Sequence, residues 1–159
     1  MSNRFALLAC ALAVALAALP SQLSAADAVV GPPGVAWKKM TFNQKKAFMK
    51  ASVVPTMKPL FQAFDAEKFR IFDCASCHGQ DGAERKFKMP GKDTAPLPGT
   101  PEAFQAKLKT EPRWPEWAKF MSEKVEPAMG KLMDMPVFDP RKPDKNALSC
   151  AACHKIEKP

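Results

Sequence analysis

The sequence predicts an all-α protein of two related units, each a helix followed by a short cysteine-histidine turn, joined by a proline-rich loop. Three observations predict it. Apolar residues recur at helical spacing behind a strong helix start: Thr41-Phe42-Asn43-Gln44 fits a capping box, and Phe48, Met49, Val53, Met57, Leu60, Phe61 and Phe64 follow on one face. No run of β-branched residues alternates with polar ones, so the pattern of a half-buried strand is missing. A block also recurs without a gap: Phe48-Met49-x-x-x-Val53-x-Pro55-x-Met57-x-x-Leu60 returns as Phe120-Met121-x-x-x-Val125-x-Pro127-x-Met129-x-x-Leu132, six identities in thirteen positions. Phe64-Asp65 and Phe138-Asp139 extend the match after a two-residue insertion. A repeat of about 72–76 residues present twice is too long for a solenoid and reads as a pseudo-symmetric pair.

The elements follow in chain order. Met1 to Ala26 has Arg4, then an apolar run from Phe5 to Leu19, then Pro20 and a polar, small-residue end: the order of a cleavable secretory signal peptide. Ser24-Ala25-Ala26 and Ala26-Asp27-Ala28 are the two small-x-small cleavage sites. The apolar run is shorter than the roughly 18 residues of a spanning helix, and Cys10 has too short an apolar stretch before it for a lipoprotein box. Cys10 is therefore expected to leave with the leader. Asp27 to Pro33 reads as a loose amino end.

The chain then forms one domain over 27–159, with units at about 41–82 and 115–159 and a linker at about 83–114. The first long helix starts at the Thr41 box, and Pro55 is expected to kink or restart it, because proline lacks an N–H and crowds the preceding turn. Asp73 caps a short helix starting at Cys74. From Gly79 to Pro112 the density of Pro90, Pro96, Pro98, Pro101 and Pro112 predicts an irregular loop, broken by one helix that Thr100 caps, with Pro101 at its first position and an end near Lys109. The second long helix carries Pro115 in its first turn and runs to Leu132, with an interruption at Pro127. Asp139-Pro140-Arg141-Lys142-Pro143-Asp144 is a surface turn, and Ser149 caps a second short helix at Cys150.

Two pentapeptides carry the chemistry: Cys74-Ala75-Ser76-Cys77-His78 and Cys150-Ala151-Ala152-Cys153-His154. They take four of the five cysteines and both histidines of the chain. C-x-x-C-H is the attachment signature of a c-type haem, so the expected cofactors are two haem c groups held covalently. On one helical turn, residues three and four apart share a face. Two thiols at i and i+3 thus reach the two vinyl groups along one side of a porphyrin, and the histidine at i+4 lies beneath the iron. His78 and His154 are the expected proximal ligands. A zinc site built from the same thiols and imidazoles, or a pair of disulfides, are the alternative uses of these residues.

With both histidines committed, the distal position of each iron falls to methionine, lysine, water or nothing. Methionine is the commonest of these in proteins and raises the reduction potential. Met57 and Met129 occupy equivalent places in the two copies, each two residues after a proline. Met133 competes with Met129, because it stands seventeen residues before Cys150, as Met57 does before Cys74, whereas Met129 stands twenty-one before it. Met49 and Met121, also paired, read as core. Packing is the alternative for every one of them, since methionine fills gaps beside aromatics.

A methionine-bearing helix ahead of each C-x-x-C-H resembles the multihaem cytochrome subunit of photosynthetic reaction centres, and the terminal placement of Cys150 to His154 resembles class II cytochromes c. The likeness covers roughly Phe48 to His78 and Phe120 to His154, with two units here against four in the reaction-centre subunit. In class I cytochromes c the methionine follows the motif, which would direct attention to Met89 or to Met121–Met135. The resemblance to c-type cytochromes implies maturation outside the cytoplasm, in the periplasm of a Gram-negative type of cell, in agreement with the expected leader.

Lys and Arg number 24 against 16 Asp and Glu, a net charge of +8. Such an excess suits docking to redox partner proteins with an acidic face, and it speeds encounter at low salt. No recognition motif or dense basic run points to nucleic acid, and no stretch beyond the leader suggests stable membrane insertion. The expected function is the carrying of single electrons by a dihaem cytochrome with no catalytic residues of its own. The alternative is a haem enzyme or gas-binding protein, peroxidase-like or class II-like, with one iron left open.

Overall fold

A computed structural model describes residues 34–158 of the chain. The expected leader and cleavage sites, Cys10 and the expected loose end from Asp27 to Pro33 lie outside these residues.

The first long helix starts where its capping box predicts. Thr41 Oγ1 accepts from the Gln44 N–H at 3.3 Å, and the Thr41 N–H donates to Gln44 Oε1 at 2.8 Å. Helix α1 (Phe42–Phe48) then runs into a π-helical turn (Met49–Val53) and on into α2 (Val54–Phe64). The second long helix has the same three parts: α5 (Trp114–Phe120), a π-helical turn (Met121–Val125) and α6 (Glu126–Met133). Each is interrupted just ahead of its proline, as expected, and the interruption takes the form of a π turn after which an α-helix starts with the proline in its first turn. A proline ring crowds the carbonyl four residues back, and a π turn widens the backbone so that the bonds step back five residues instead. The Val54 N–H donates to the Met49 carbonyl and the Glu126 N–H to the Met121 carbonyl, each bond falling one residue ahead of its proline.

Between these helices lie the short α3 (Ala75–His78) and α4 (Pro101–Thr110). Thr100 caps α4 through its side chain, accepting from the Ala103 N–H at 3.2 Å, and Pro101 sits in its first turn as expected. Pro115 likewise falls in the first turn of α5. Asp134, at φ 50° and ψ 49°, ends α6 in the left-handed conformation that Asn, Asp and Gly tolerate best. The fold is helical, and among the described residues extended pairing is limited to isolated bridges, Leu97 with Ile156, Val137 with Leu148 and Asp139 with Lys142. No described helix is long and apolar enough to cross a membrane.

The two long helices cross so that α2 packs on the π turn of the second and α6 on the π turn of the first. Aromatic rings fill the crossing. Phe64 stacks on Phe120 at 4.2 Å, while Phe61 meets Phe120, Phe72 and Phe69 at 5.1, 5.0 and 4.9 Å. Met57 is the most deeply buried member of this core at 2% exposure. Arg113 ties the start of α5 to the end of α2 through a 3.0 Å contact with Asp65. The Lys68 N–H and then Arg113 hold the Asp65 carboxyl below its usual range.

Candidate functional site

Both pentapeptides close into one turn by the same bond. The His78 N–H donates to the Cys74 carbonyl at 3.0 Å, and the His154 N–H to the Cys150 carbonyl at 2.8 Å. The backbone therefore sets the histidine of each motif one turn beyond its first cysteine. The starts of the turns differ. The helix of the first motif starts at Ala75, one residue later than expected, with Cys74 and not Asp73 at its N-cap. Asp73 Oδ1 still accepts from the Ala75 N–H at 2.8 Å while the Asp73 N–H donates to Ser76 Oγ at 3.0 Å. Ser149 makes no side-chain cap, and the second motif forms only a 3₁₀ turn over Cys150–Ala152. The expected Ser149 cap is thus replaced by a backbone bond from the Ala152 N–H to the Ser149 carbonyl at 2.9 Å.

The first motif is held by the loop that follows it. Gly79 takes φ 81°, which a side chain would strain, and a Cβ added at Gly82 would fall 2.9 Å from the His78 Cβ. Arg85 closes the loop: its guanidinium donates to the His78 carbonyl at 2.7 Å, to the Lys88 carbonyl at 2.7 Å and to Asp81 at 3.0 Å. The Phe87 ring stands edge-on to the His78 imidazole with centroids 5.4 Å apart. Burial, and after it the Arg85 charge, lowers the His78 pKa, with the Phe87 carbonyl opposing. The neutral ring is thereby favoured, and that is the form able to ligate a metal.

The second motif is oriented from a distance. His154 Nδ1 lies 2.8 Å from the Ala95 carbonyl, which can only accept, so this nitrogen is the donor. His78 Nδ1 is buried without a partner. The residue order alone gave no sign of Arg85, Thr94 or Ala95, although Asp81 and Arg85 stand at the i,i+4 spacing of a helical ion pair.

All four cysteines of the motifs are free thiols. The two motifs also lie near each other. Burial pushes the Cys77 thiol up to about 11, and after burial the next contribution is the Cys153 thiol, ahead of Cys74. Cys153 is raised by burial, then by Cys150 and Glu126, and Cys150 by burial and then Glu126. Glu126, at the start of α6, is itself raised by burial. Among the described residues no three of His, Cys, Asp and Glu converge on one point as a metal cluster.

The raised Cys77 thiol makes a prediction for the chain before any group is attached. The unfolded thiol titrates near 9.0 and the folded one near 11, so the folded state holds this proton more tightly. Its contribution is whole below pH 9 and is lost as pH rises through 11, up to about 3 kcal/mol. Urea unfolding at pH 8, 9.5 and 11 should show that decline in the free-thiol chain. The decline should shrink in Cys77→Ala; an unchanged pH slope there would refute the assignment.

The candidate distal residues lie in the interior. Met57 is in the aromatic core, Met129 is half-buried against that core, and Met133 is buried at 8% exposure. Cys77 packs against the same core, so the helix that carries Met57 and the first motif share one apolar interior.

Compared with models of known protein families, with curated proteins and with solved structures, the chain matches none of them.

Proposed function

We propose that the chain is an exported dihaem c-type cytochrome that carries single electrons between redox partner proteins. The observation that carries this reading is the pair of C-x-x-C-H motifs, each closed into one turn by the same backbone bond. The donor set suits a haem c at each motif: two free thiols and an imidazole one turn beyond the first of them. The buried, partnerless His78 Nδ1 and the glycine-lined loop behind His78 mark the first motif as a built place and not a chance turn. The duplicated blocks ahead of the motifs, each spanning a π turn, support a pseudo-symmetric origin for the two units.

In this reading Cys74, Cys77, Cys150 and Cys153 would hold the two haems through thioethers, and His78 and His154 would each ligate an iron. Haem, when bound, supplies an iron that cycles between ferrous and ferric states at a potential set by its axial ligands and surroundings. The protein supplies the rest. Burial keeps the Cys77 thiol protonated and so guards it against oxidation before attachment. Arg85 fixes the His78 backbone and the Ala95 carbonyl fixes the His154 tautomer. The basic chain then draws in an acidic partner.

The test is the protein exported by a host able to attach haem. Intact mass should exceed that of the cleaved polypeptide by two haems. Cys74→Ala with Cys77→Ala should remove one, and Cys150→Ala with Cys153→Ala the other. The spectrum should change reversibly on reduction and oxidation. A colourless product with the mass of its amino acids alone overturns the proposal, and ready uptake of carbon monoxide by the reduced protein would replace electron carrying with an open-iron role.

A further inference from the structure

One dipeptide touches both motifs. The Thr94 hydroxyl donates to the Cys77 carbonyl at 3.2 Å, in a part-buried bond, and the carbonyl of the next residue, Ala95, accepts from His154 Nδ1 at 2.8 Å. Thr94 belongs to the loop that follows the first motif, yet the group it places belongs to the second.

The strap has little freedom. A Cβ added at Gly91 would fall 2.7 Å from Thr94 Oγ1, 2.9 Å from the Cys77 carbonyl oxygen and 3.0 Å from the His78 carbonyl carbon, so the loop lies against the first motif with no room between. The Thr94 N–H donates to the Gly91 carbonyl at 3.2 Å. Beyond Ala95 the loop is pinned to the tail that follows His154: the Leu97 N–H donates to the Lys155 carbonyl at 2.8 Å, and the Glu157 N–H to the Leu97 carbonyl at 2.9 Å. Gly99 lies directly against the Glu157 carbonyl, with no space for a side chain. The segment from Thr94 to Gly99 is thus fixed at one end to Cys77 and at the other to the residues flanking His154. The electrostatic influence of Cys153 on Cys77 agrees with this closeness.

We propose that Thr94 is a positioning residue for the second haem site, and that Thr94 and Ala95 tie the two sites into one redox unit. The inference rests on the dihaem reading. A histidine whose second nitrogen donates to a carbonyl has a fixed tautomer and orientation and is a more basic ligand, and a more basic ligand favours the ferric state. The strength of that bond depends on where the Ala95 carbonyl sits, and the Thr94 hydroxyl sets that place from the backbone of the first motif. Removing the hydroxyl therefore acts across the molecule: the imidazole of His154 loses basicity and the potential of its iron rises, while His78, held by Arg85, keeps its setting.

The experiment is redox titration of the exported, haem-bearing full chain carrying Thr94→Val, beside Thr94→Ser and the unaltered protein. Thr94→Val should raise one of the two potentials and leave the other in place, and Thr94→Ser, which keeps the hydroxyl, should restore the original pair. Thr94→Ala is read in the same way if the valine chain does not mature, and loss of haem from the second motif alone also counts for the proposal. Two unchanged potentials, equal shifts in both, a shift that serine does not restore, or loss of haem from both motifs in valine and alanine chains alike would overturn it. An unaltered protein without haem overturns the dihaem reading together with this inference, whereas unmoved potentials in a two-haem protein overturn this inference alone.

Discussion

Phe61→Ala is expected to cost about 3–5 kcal/mol of unfolding free energy, the range for removing a large aromatic side chain from a packed core. Phe61 is 6% exposed and touches three rings from two different parts of the chain: Phe69 and Phe72 in the segment leading to the first motif, and Phe120 at the end of α5. These contacts come from separate elements, so the surroundings have no single way to collapse into the space left behind. The loss should therefore fall toward the upper end. Urea denaturation of the free-thiol chain, followed by helical ellipticity, measures it. Phe64→Ala gives the contrast. Phe64 stacks on Phe120 at 4.2 Å but is only half-buried, so its removal should cost less. Equal losses from the two would show that the crossing is held by area alone and not by the enclosed ring at its centre.

The Phe61 cluster also links stability to the site. Phe72 stands two residues before Cys74, and Cys77 packs on the same interior. Loosening the crossing frees the strut from which the first motif projects, so, on the proposed dihaem function, Phe61→Ala should lower the yield of attached haem at the first motif more than at the second.

What the residue order reveals and what it hides divide along one physical line. Features made by neighbours in sequence are legible. The Thr41 and Gln44 box, the Thr100 cap with Pro101 behind it and the Pro115 first turn each rest on a side chain bonded to a backbone group three residues away, or on the fixed φ of proline. The Asp73 bond to Ala75 is local in the same way, although the helix starts one residue later than expected. The π turns were half legible. Pro55 and Pro127 locate the interruption, but its form as a π turn is not written in the proline itself, and each π turn is covered by the opposite long helix. Ser149 failed as a cap because the second motif is only a 3₁₀ turn, which its own backbone bonds close. The contact of His154 with Ala95 was not legible at all. It spans 59 residues and uses a carbonyl that any residue carries, so no side-chain pattern announces it.

Met57 is where packing and ligation make different predictions for the same residue. At 2% exposure it is the most enclosed side chain of the core, and Met57→Ala should cost about 2–5 kcal/mol by leaving a cavity among Val53, Phe61 and their neighbours. Met57→Leu nearly conserves volume and should cost less than about 1.5 kcal/mol. The leucine chain separates the two roles, since leucine fills the space but cannot bind iron. In the exported, haem-bearing protein, loss of methionine–sulfur absorption with stability intact would assign the Met57 sulfur to an iron, and an unchanged spectrum would assign it to the core. The same pair of substitutions at Met133, 8% exposed, and at half-buried Met129 extends the comparison to the second unit. Burial alone favours Met133 over Met129 as the residue whose loss unfolds the chain. The spacing of seventeen residues to the following cysteine, shared by Met57 and Met133, makes Met133 also the one whose spectrum should follow that of Met57.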